Sequence, residues 1–141
     1  MRIHLASDHA GLDLKNTVKR HLEQKGLTVE DHGTNSLEST DYPVYAHALC
    51  EAVLAEEGRG ILVCGTGIGM SMAANRHKGI RAALCTCEFH ARATREHNNA
   101  NVLCLGSRVT GEGLALDIVD VFLATGFAGG RHERRIQQIE G

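Results

Sequence analysis

Short apolar runs alternate with amphipathic stretches along the whole chain. The runs Ile3–Ala6, Leu27–Asp31, Gly60–Cys64, Ile80–Leu84 and Asn101–Leu105 are the length of strands. Several of them are apolar at nearly every position, the pattern expected of strands covered on both faces. Between them the spacing changes to three and four. Leu14, Val18 and Leu22 mark one helical face, with Gly26 as its stop, and Leu114, Ile118 and Phe122 mark another before Gly126. Pro43, the only proline, opens a helix where its missing N–H costs little. Met70–Asn75 and Ala91–His97 read as two further helices, the latter stopped by Asn98-Asn99. This alternation predicts an α/β protein: a three-layer α/β/α sandwich around a five-stranded parallel, Rossmann-like sheet.

No internal repeat, low-complexity tract or linker interrupts the pattern, so residues 1–141 read as a single domain. The last stretch, from about Gly129, is RHERRIQQIEG behind a Gly129-Gly130 pair. Ile136 and Ile139 give it too little apolar surface to be ordered alone, and it is expected to dock on its own domain or on a partner subunit.

Composition narrows the function. A formal net charge of −2 gives no electrostatic case for nucleic acid or anionic membrane. No apolar stretch approaches the roughly 20 residues that span a bilayer, and MRIHLASDHAG has no apolar leader pattern. The expectation is a soluble, cytoplasmic protein. The five cysteines (Cys50, Cys64, Cys85, Cys87 and Cys104) are odd in number and lack disulfide-scaffold spacing, consistent with reduced thiols. Cys85-Thr86-Cys87 has no second pair to complete a zinc knuckle. None of the histidines outside the candidate site shows a convincing metal-ligand pairing, so no metal or other cofactor is expected.

The most informative stretch is Ile61-Leu62-Val63-Cys64-Gly65-Thr66-Gly67-Ile68-Gly69-Met70, a buried strand ending in a thiol, then alternating glycines, then a helix. Ligands of open α/β sheets bind beyond the carboxyl ends of strands. Glycines there let backbone N–H groups approach an anion, and the helix start adds positive partial charge that favours a thiolate. The spacing is not that of a dinucleotide fingerprint, and a P-loop's Gly-Lys-Ser/Thr ending is absent. A tight strand-to-helix turn with a buried cysteine accounts equally well for this loop taken alone.

Other strand ends supply further groups. Asp8 and His9 follow the first strand, as a helix cap and a surface residue or as functional groups on the same rim as Cys64. His97-Asn98 serves either as a helix stop, with Asn in the left-handed conformation, or as an acid–base group with a polar neighbour. Arg108 lies just past the fifth strand, and Arg131 and Arg135 share one helical face if the tail is helical. Guanidinium forks suit phosphate, although a solvated cationic tail has the same composition.

Taken jointly and in order, SDHAG (7–11), TDYP (40–43), CGTGIG (64–69), AAN (73–75), REHNNANVLCLGSR (95–108) and GGRHERR (129–135) resemble the type B ribose-5-phosphate isomerases and the related galactose-6-phosphate isomerases. The resemblance spans essentially the whole chain. It implies a metal-independent aldose–ketose isomerase that interconverts D-ribose 5-phosphate and D-ribulose 5-phosphate through a cis-enediolate, as in the pentose phosphate pathway. Cys64 corresponds to the base, and the N–H groups of Gly65, Thr66, Gly67, Ile68 and Gly69 to the anion hole. His97, aided by Asp8 and Thr66, corresponds to the ring-opening apparatus, and Asn98 to a substrate hydroxyl or oxyanion contact. His9, Arg108, Arg131 and Arg135 correspond to the phosphate-binding set. Met70 stands where one branch of the family has a glutamate base, which puts this chain in the cysteine branch. The resemblance also implies a homodimer or larger homo-oligomer with sites at the subunit interface. An isomerase of allose or galactose 6-phosphate, a non-catalytic phosphosugar-binding module, a nucleotide-binding domain and a cysteine hydrolase are the rival readings.

Overall fold

Each apolar run becomes a strand, and each amphipathic stretch a helix that carries the chain back. The computed structural model of the chain describes residues 1–141. Its elements are β1 (Arg2–Ser7), α1 (Leu12–Gln24), β2 (Thr28–Asp31), α2 (Tyr42–Glu56), β3 (Arg59–Cys64), α3 (Ile68–Ala74), β4 (Ala82–Leu84), α4 (Glu88–Asn98), β5 (Val102–Gly106), α5 (Glu112–Ala124) and α6 (Arg131–Glu140). The five strands form one parallel sheet in the order β2-β1-β3-β5-β4. The fold is the predicted α/β/α sandwich.

The strand period of two explains the layers. Ile3, Leu5, Ile61, Val63, Leu103 and Leu105 point to one face, where α1, α4 and α5 bring Leu14, Val18, Leu22, Ala91, Ile118 and Phe122. Ala6, Leu62, Cys64, Val102 and Cys104 point to the other, against Leu49, Cys50 and Val53 of α2 and Met70 and Ala74 of α3. Met70 is wholly buried there, a methionine packed as core.

Three local expectations shift. The fourth strand pairs only over Ala82–Leu84, because Ile80 turns into the core and Arg81 is bound through its backbone to Asn101. Asn75 clamps this edge strand, its side chain donating to the Ala82 carbonyl (2.9 Å) and accepting from the Ala82 N–H (2.8 Å). At the end of α4 the left-handed residue is Asn99 (φ 46°), and Asn98 is still helical. The tail is a full helix, α6. It is tied down by Glu140, which accepts from the Gly79 N–H (2.9 Å) and from the Arg81 guanidinium.

One charge is placed at depth. Lys15 of α1 is fully buried, and its ammonium donates to both oxygens of Asp31 (2.7 and 2.9 Å) and to the Thr34 carbonyl (2.7 Å). This fixes the end of β2 and the start of the loop that runs to α2. Burial alone would raise the Asp31 carboxyl. The hydrogen bonds from Lys15 and the Gly33 N–H, with the charges of Lys15 and Lys19, outweigh it and hold the group below its ordinary value.

A carboxyl whose folded-state value is lowered contributes stability above its unfolded value, and loses that contribution as pH falls through the folded value. Asp31→Asn leaves a buried ammonium half-partnered and is expected to cost about 3 kcal/mol at neutral pH. Urea unfolding of both proteins from pH 7 to 3 checks this: the deficit is constant down to about pH 4 and shrinks below it.

Candidate active site

Adjacent parallel strands bring three chain exits to one rim. Ser7 pairs with Val63 and Cys64 with Gly106, so the carboxyl ends of β1, β3 and β5 lie side by side. The exits are laced together. The Asp8 N–H donates to the Val63 carbonyl (3.3 Å), Ser107 N–H to Cys64 (2.8 Å), Arg108 N–H to Gly65 (2.9 Å), and the Ser107 hydroxyl to Ala10 (2.8 Å).

Cys64 is the last residue of β3 and is 5% exposed. Its Sγ accepts a hydrogen bond from the Gly67 N–H at 3.1 Å. Gly67 has φ +79°, and a Cβ on it would stand 2.6 Å from Leu84 Cδ1 and 3.0 Å from the Leu105 backbone, so only glycine closes this turn. Ile68 N–H is held by Thr66 Oγ1 (3.2 Å), whereas the N–H groups of Gly65 and Thr66 find no acceptor within the chain. The guanidinium of Arg108 lies over Gly65, where an added Cβ would meet Nη1 at 3.1 Å.

On the β1 side, Asp8 is buried, and its Oδ1 accepts the Gly11 N–H at 3.0 Å. It braces the turn into α1 without capping it, since the N-cap is Gly11. His9 Nδ1 accepts the Thr40 N–H at 3.1 Å. In the neutral ring this leaves the proton on Nε2, a donor for an anion. The loop that presents Thr40 is the one anchored by Lys15. Tyr42, in TDYP but given no role in the sequence reading, packs its ring where a Gly69 side chain would stand, 2.5 Å from the added Cβ. The glycine at 69 was the available signal.

His97, Asn98, Arg131 and Arg135 do not join this group. Helices of a parallel sheet run opposite to the strands, so α4 ends at the amino rim. There Arg81 Nε donates to the Asn98 carbonyl (2.9 Å), just before β4 begins. The length of β5 separates that rim from Cys64, roughly 13 Å at about 3.3 Å per residue. His97 is exposed and stacks on His132 of α6, with centroids 4.5 Å apart and planes at 19°. That stacking brings exposed Arg131 and Arg135 beside it. Burial, then the charges of His97, Arg131 and Arg135, push the His132 imidazole below its ordinary value.

Buried Arg95 holds this second group. It donates to the Ala100 carbonyl (2.6 Å), Asn99 Oδ1 (2.8 Å) and the Thr125 carbonyl (3.1 Å), tying the end of α4 to the exit of α5. Burial, then Arg59 and Arg81, bring its guanidinium down to about 10, still charged at neutral pH. The candidate residues thus fall into two groups on opposite rims: thiol, amides, Asp8, His9 and Arg108 on one, imidazole, amide and two guanidinium groups on the other. A cavity of about 720 Å³ opens beside the second group, with Asn98 in its wall. It runs along β4 beside Arg76, Arg81, His90, Thr94 and Ile139.

The family model described as Ribose/Galactose Isomerase matches residues 3–139. Ribose-5-phosphate isomerase B of Escherichia coli K12 is 47% identical over 139 residues, covering 98% of this chain and 93% of that protein. The crystal structure of a ribose 5-phosphate isomerase from Thermotoga maritima superposes with a TM-score of 0.97 at 57% identity, covering 99% of this chain and 97% of that one. That of ribose-5-phosphate isomerase B from Mycoplasma genitalium, with bound ribulose-5-phosphate, gives 0.95 at 46% identity, covering 99% of this chain and 93% of that one.

The thiols differ sharply in environment. Burial pushes Cys50 and Cys85 up to about 12 and Cys104 well above its ordinary value. Brief iodoacetamide treatment of the native protein at pH 8, read by peptide mass spectrometry, is expected to leave these three unmodified and to label Cys87 and Cys64. Inorganic phosphate or a sugar phosphate is expected to slow labelling at Cys64 alone.

Proposed function

The chain belongs to the ribose/galactose isomerase family, and from that premise we propose that it interconverts D-ribose 5-phosphate and D-ribulose 5-phosphate with Cys64 as the base. The observation that carries the reading is the rim where Cys64 Sγ, free N–H groups and the Arg108 guanidinium converge.

In the proposed mechanism His97 opens the furanose ring, moving a proton from the O1 hydroxyl to the ring oxygen, with Asp8 and Thr66 steadying the sugar. Cys64 thiolate then takes the proton from C2. The electron pair left behind forms a cis-enediolate, whose charge falls on O1 and O2 in reach of the Gly65–Gly69 amides. The O2 hydroxyl proton passes to O1, and the thiol returns its proton to C1, leaving the ketose with its carbonyl at C2. Deprotonation beside a carbonyl needs both a placed base and donors aimed at the developing oxyanion. Asn98 holds a substrate hydroxyl or oxygen. Phosphate, gripped by His9, Arg108, Arg131 and Arg135, fixes the far end so that binding energy orients C1 and C2. No metal is assigned to the chemistry, since no His, Cys, Asp or Glu grouping with ligand geometry lies on either rim.

The two half-sites cannot meet within one chain, so we infer a homo-oligomer, at minimum a dimer, in which the amino rim of one protomer closes on the carboxyl rim of another. The two surfaces complement each other chemically: the base and anion hole on one, the acid–base imidazole and two phosphate-binding arginines on the other. No helix is long and apolar enough to cross a membrane. Five free thiols suit the reducing cytoplasm as the compartment.

Cys64→Ala is expected to abolish isomerisation, by at least about 10³-fold given the usual size of a general base, while leaving phosphosugar binding in place. A coupled assay with ribose, allose and galactose phosphates, with and without chelator, checks activity and sugar preference together. Near-wild-type turnover would remove Cys64 from the role.

A second test addresses assembly. Cys64→Ala and His97→Asn proteins, each impaired alone, are unfolded together and refolded as a mixture. A site shared between protomers gives mixed dimers with one intact site each, so about a quarter of wild-type activity returns. A site built within one chain returns none.

A further inference from the structure

At the opposite edge of the sheet from His97 and one strand length from Cys64, three potential ligands converge on the face that packs against α2. His4 lies in β1, paired in register with Glu30 of β2, and His32 follows two residues later on the same face. His4 is paired with Gly60 of β3, four residues before Cys64 and so about 13 Å of strand from it. His4 Nδ1 is 2.9 Å from His32 Nε2 and 3.7 Å from Glu30 Oε2, and the three atoms lie within 4.8 Å of one another. It is the only such grouping in the chain.

We propose that His4, His32 and Glu30 form a binding site for a divalent transition metal of the zinc class, outside the catalytic machinery. Tetrahedral coordination with bonds of about 2.0–2.1 Å sets donor atoms about 3.3 Å apart. To reach that spacing the His4–His32 distance opens slightly and the His4–Glu30 distance closes by a similar amount. Two imidazoles and one carboxylate are a donor set for zinc, cobalt or nickel, with water in the fourth position.

A second observation points to a ligand. His4 is completely buried, yet its Nε2 has no hydrogen-bond partner. Gly58 backs that edge of the ring, where a side chain would crowd Nε2 at 3.2 Å, and Glu56 Oε2 stands 3.5 Å away. In the tautomer in which His4 Nδ1 donates to His32, the bare Nε2 has no proton to offer Glu56. A metal on Nδ1 moves the His4 proton to Nε2, which then donates to Glu56. This is the carboxylate–histidine–metal arrangement that orients ligands in many metal sites, and it needs no net proton release.

The charges around the site also fit. Glu30 and Glu56 share one cation, Arg2, at 3.2 and 3.3 Å. A dication draws Glu30 away while Arg2 remains on Glu56. Glu30 and Arg2 are solvent-accessible, which gives the ion a path in. The bound ion would staple the four-residue edge strand β2 to β1.

The test is titration of the intact, metal-stripped protein with Co²⁺. The expected result is one ion per chain with the visible d–d absorption of a nitrogen/oxygen site, no sulfur-to-cobalt charge transfer, and displacement by Zn²⁺. Zn²⁺ should also raise the thermal midpoint. His32→Gln and Glu30→Gln, both on partly accessible side chains, should each weaken binding by at least about tenfold and leave isomerase turnover unchanged. His47→Gln controls for the exposed His47–His77 pair (2.6 Å) and should leave binding intact. The proposal is overturned if the native chain takes up no cobalt, if the spectrum is that of a thiolate site, or if both variants bind undiminished. None of these outcomes bears on the assignment of Cys64.

Discussion

A parallel sheet makes every connecting helix run against the strands, and this single directional constraint governs the rest of the molecule. All side chains presented at strand exits fall on one rim, and all those presented at helix ends fall on the other. Cys64, Asp8, His9 and Arg108 belong to the first class, and His97 and Asn98 to the second. No loop adjustment brings them together, because the intervening β5 is itself part of the core. The proposed chemistry needs both groups, and it is this separation that underlies the proposal of a second copy.

The carboxyl rim is preorganised by the backbone more than by side chains. Gly67 can take its left-handed turn beside Leu84 and Leu105, and the turn aims its own N–H at the thiol. The exits of β1, β3 and β5 are stitched by main-chain hydrogen bonds that cost no side-chain entropy to hold. Charge enters in a second layer: Arg108 over Gly65, His9 oriented by Thr40, and the loop behind Thr40 pinned by Lys15 at the edge of the sheet. The amino rim is built differently. Its groups are exposed and held indirectly, through Arg95, through His97 stacked on His132, and through Glu140 at the far end of α6.

Local periodicity determined much of this protein. The five strands, the helices between them and the parallel class follow from short apolar runs alternating with four-residue spacing, because burial on both faces allows few other patterns. The glycine-alternating loop after Cys64 was legible for the same reason, since only a close backbone approach requires glycine so often. The short fourth strand was less so: whether Ile80 and Arg81 pair or turn away depends on Asn101, twenty residues later. Tyr42 was invisible as a site residue because its partner, Gly69, is marked only by a missing side chain.

What the tertiary structure alone decided is which residues are neighbours. Sequence placed His97 and Cys64 in one candidate site, but chain direction puts them on opposite rims. Sequence gave no reason to pair His4 with Glu30 and His32, since that contact depends on the register of β1 against β2 and on α2 closing over it. The tail, too weakly apolar to predict its own order, is a helix tied to the body through Glu140 on Arg81 and Gly79 and through His132 on His97. Periodicity is a property of a few consecutive residues and survives in the sequence. Adjacency between distant residues comes from register and packing, and it exists only once the sheet has formed.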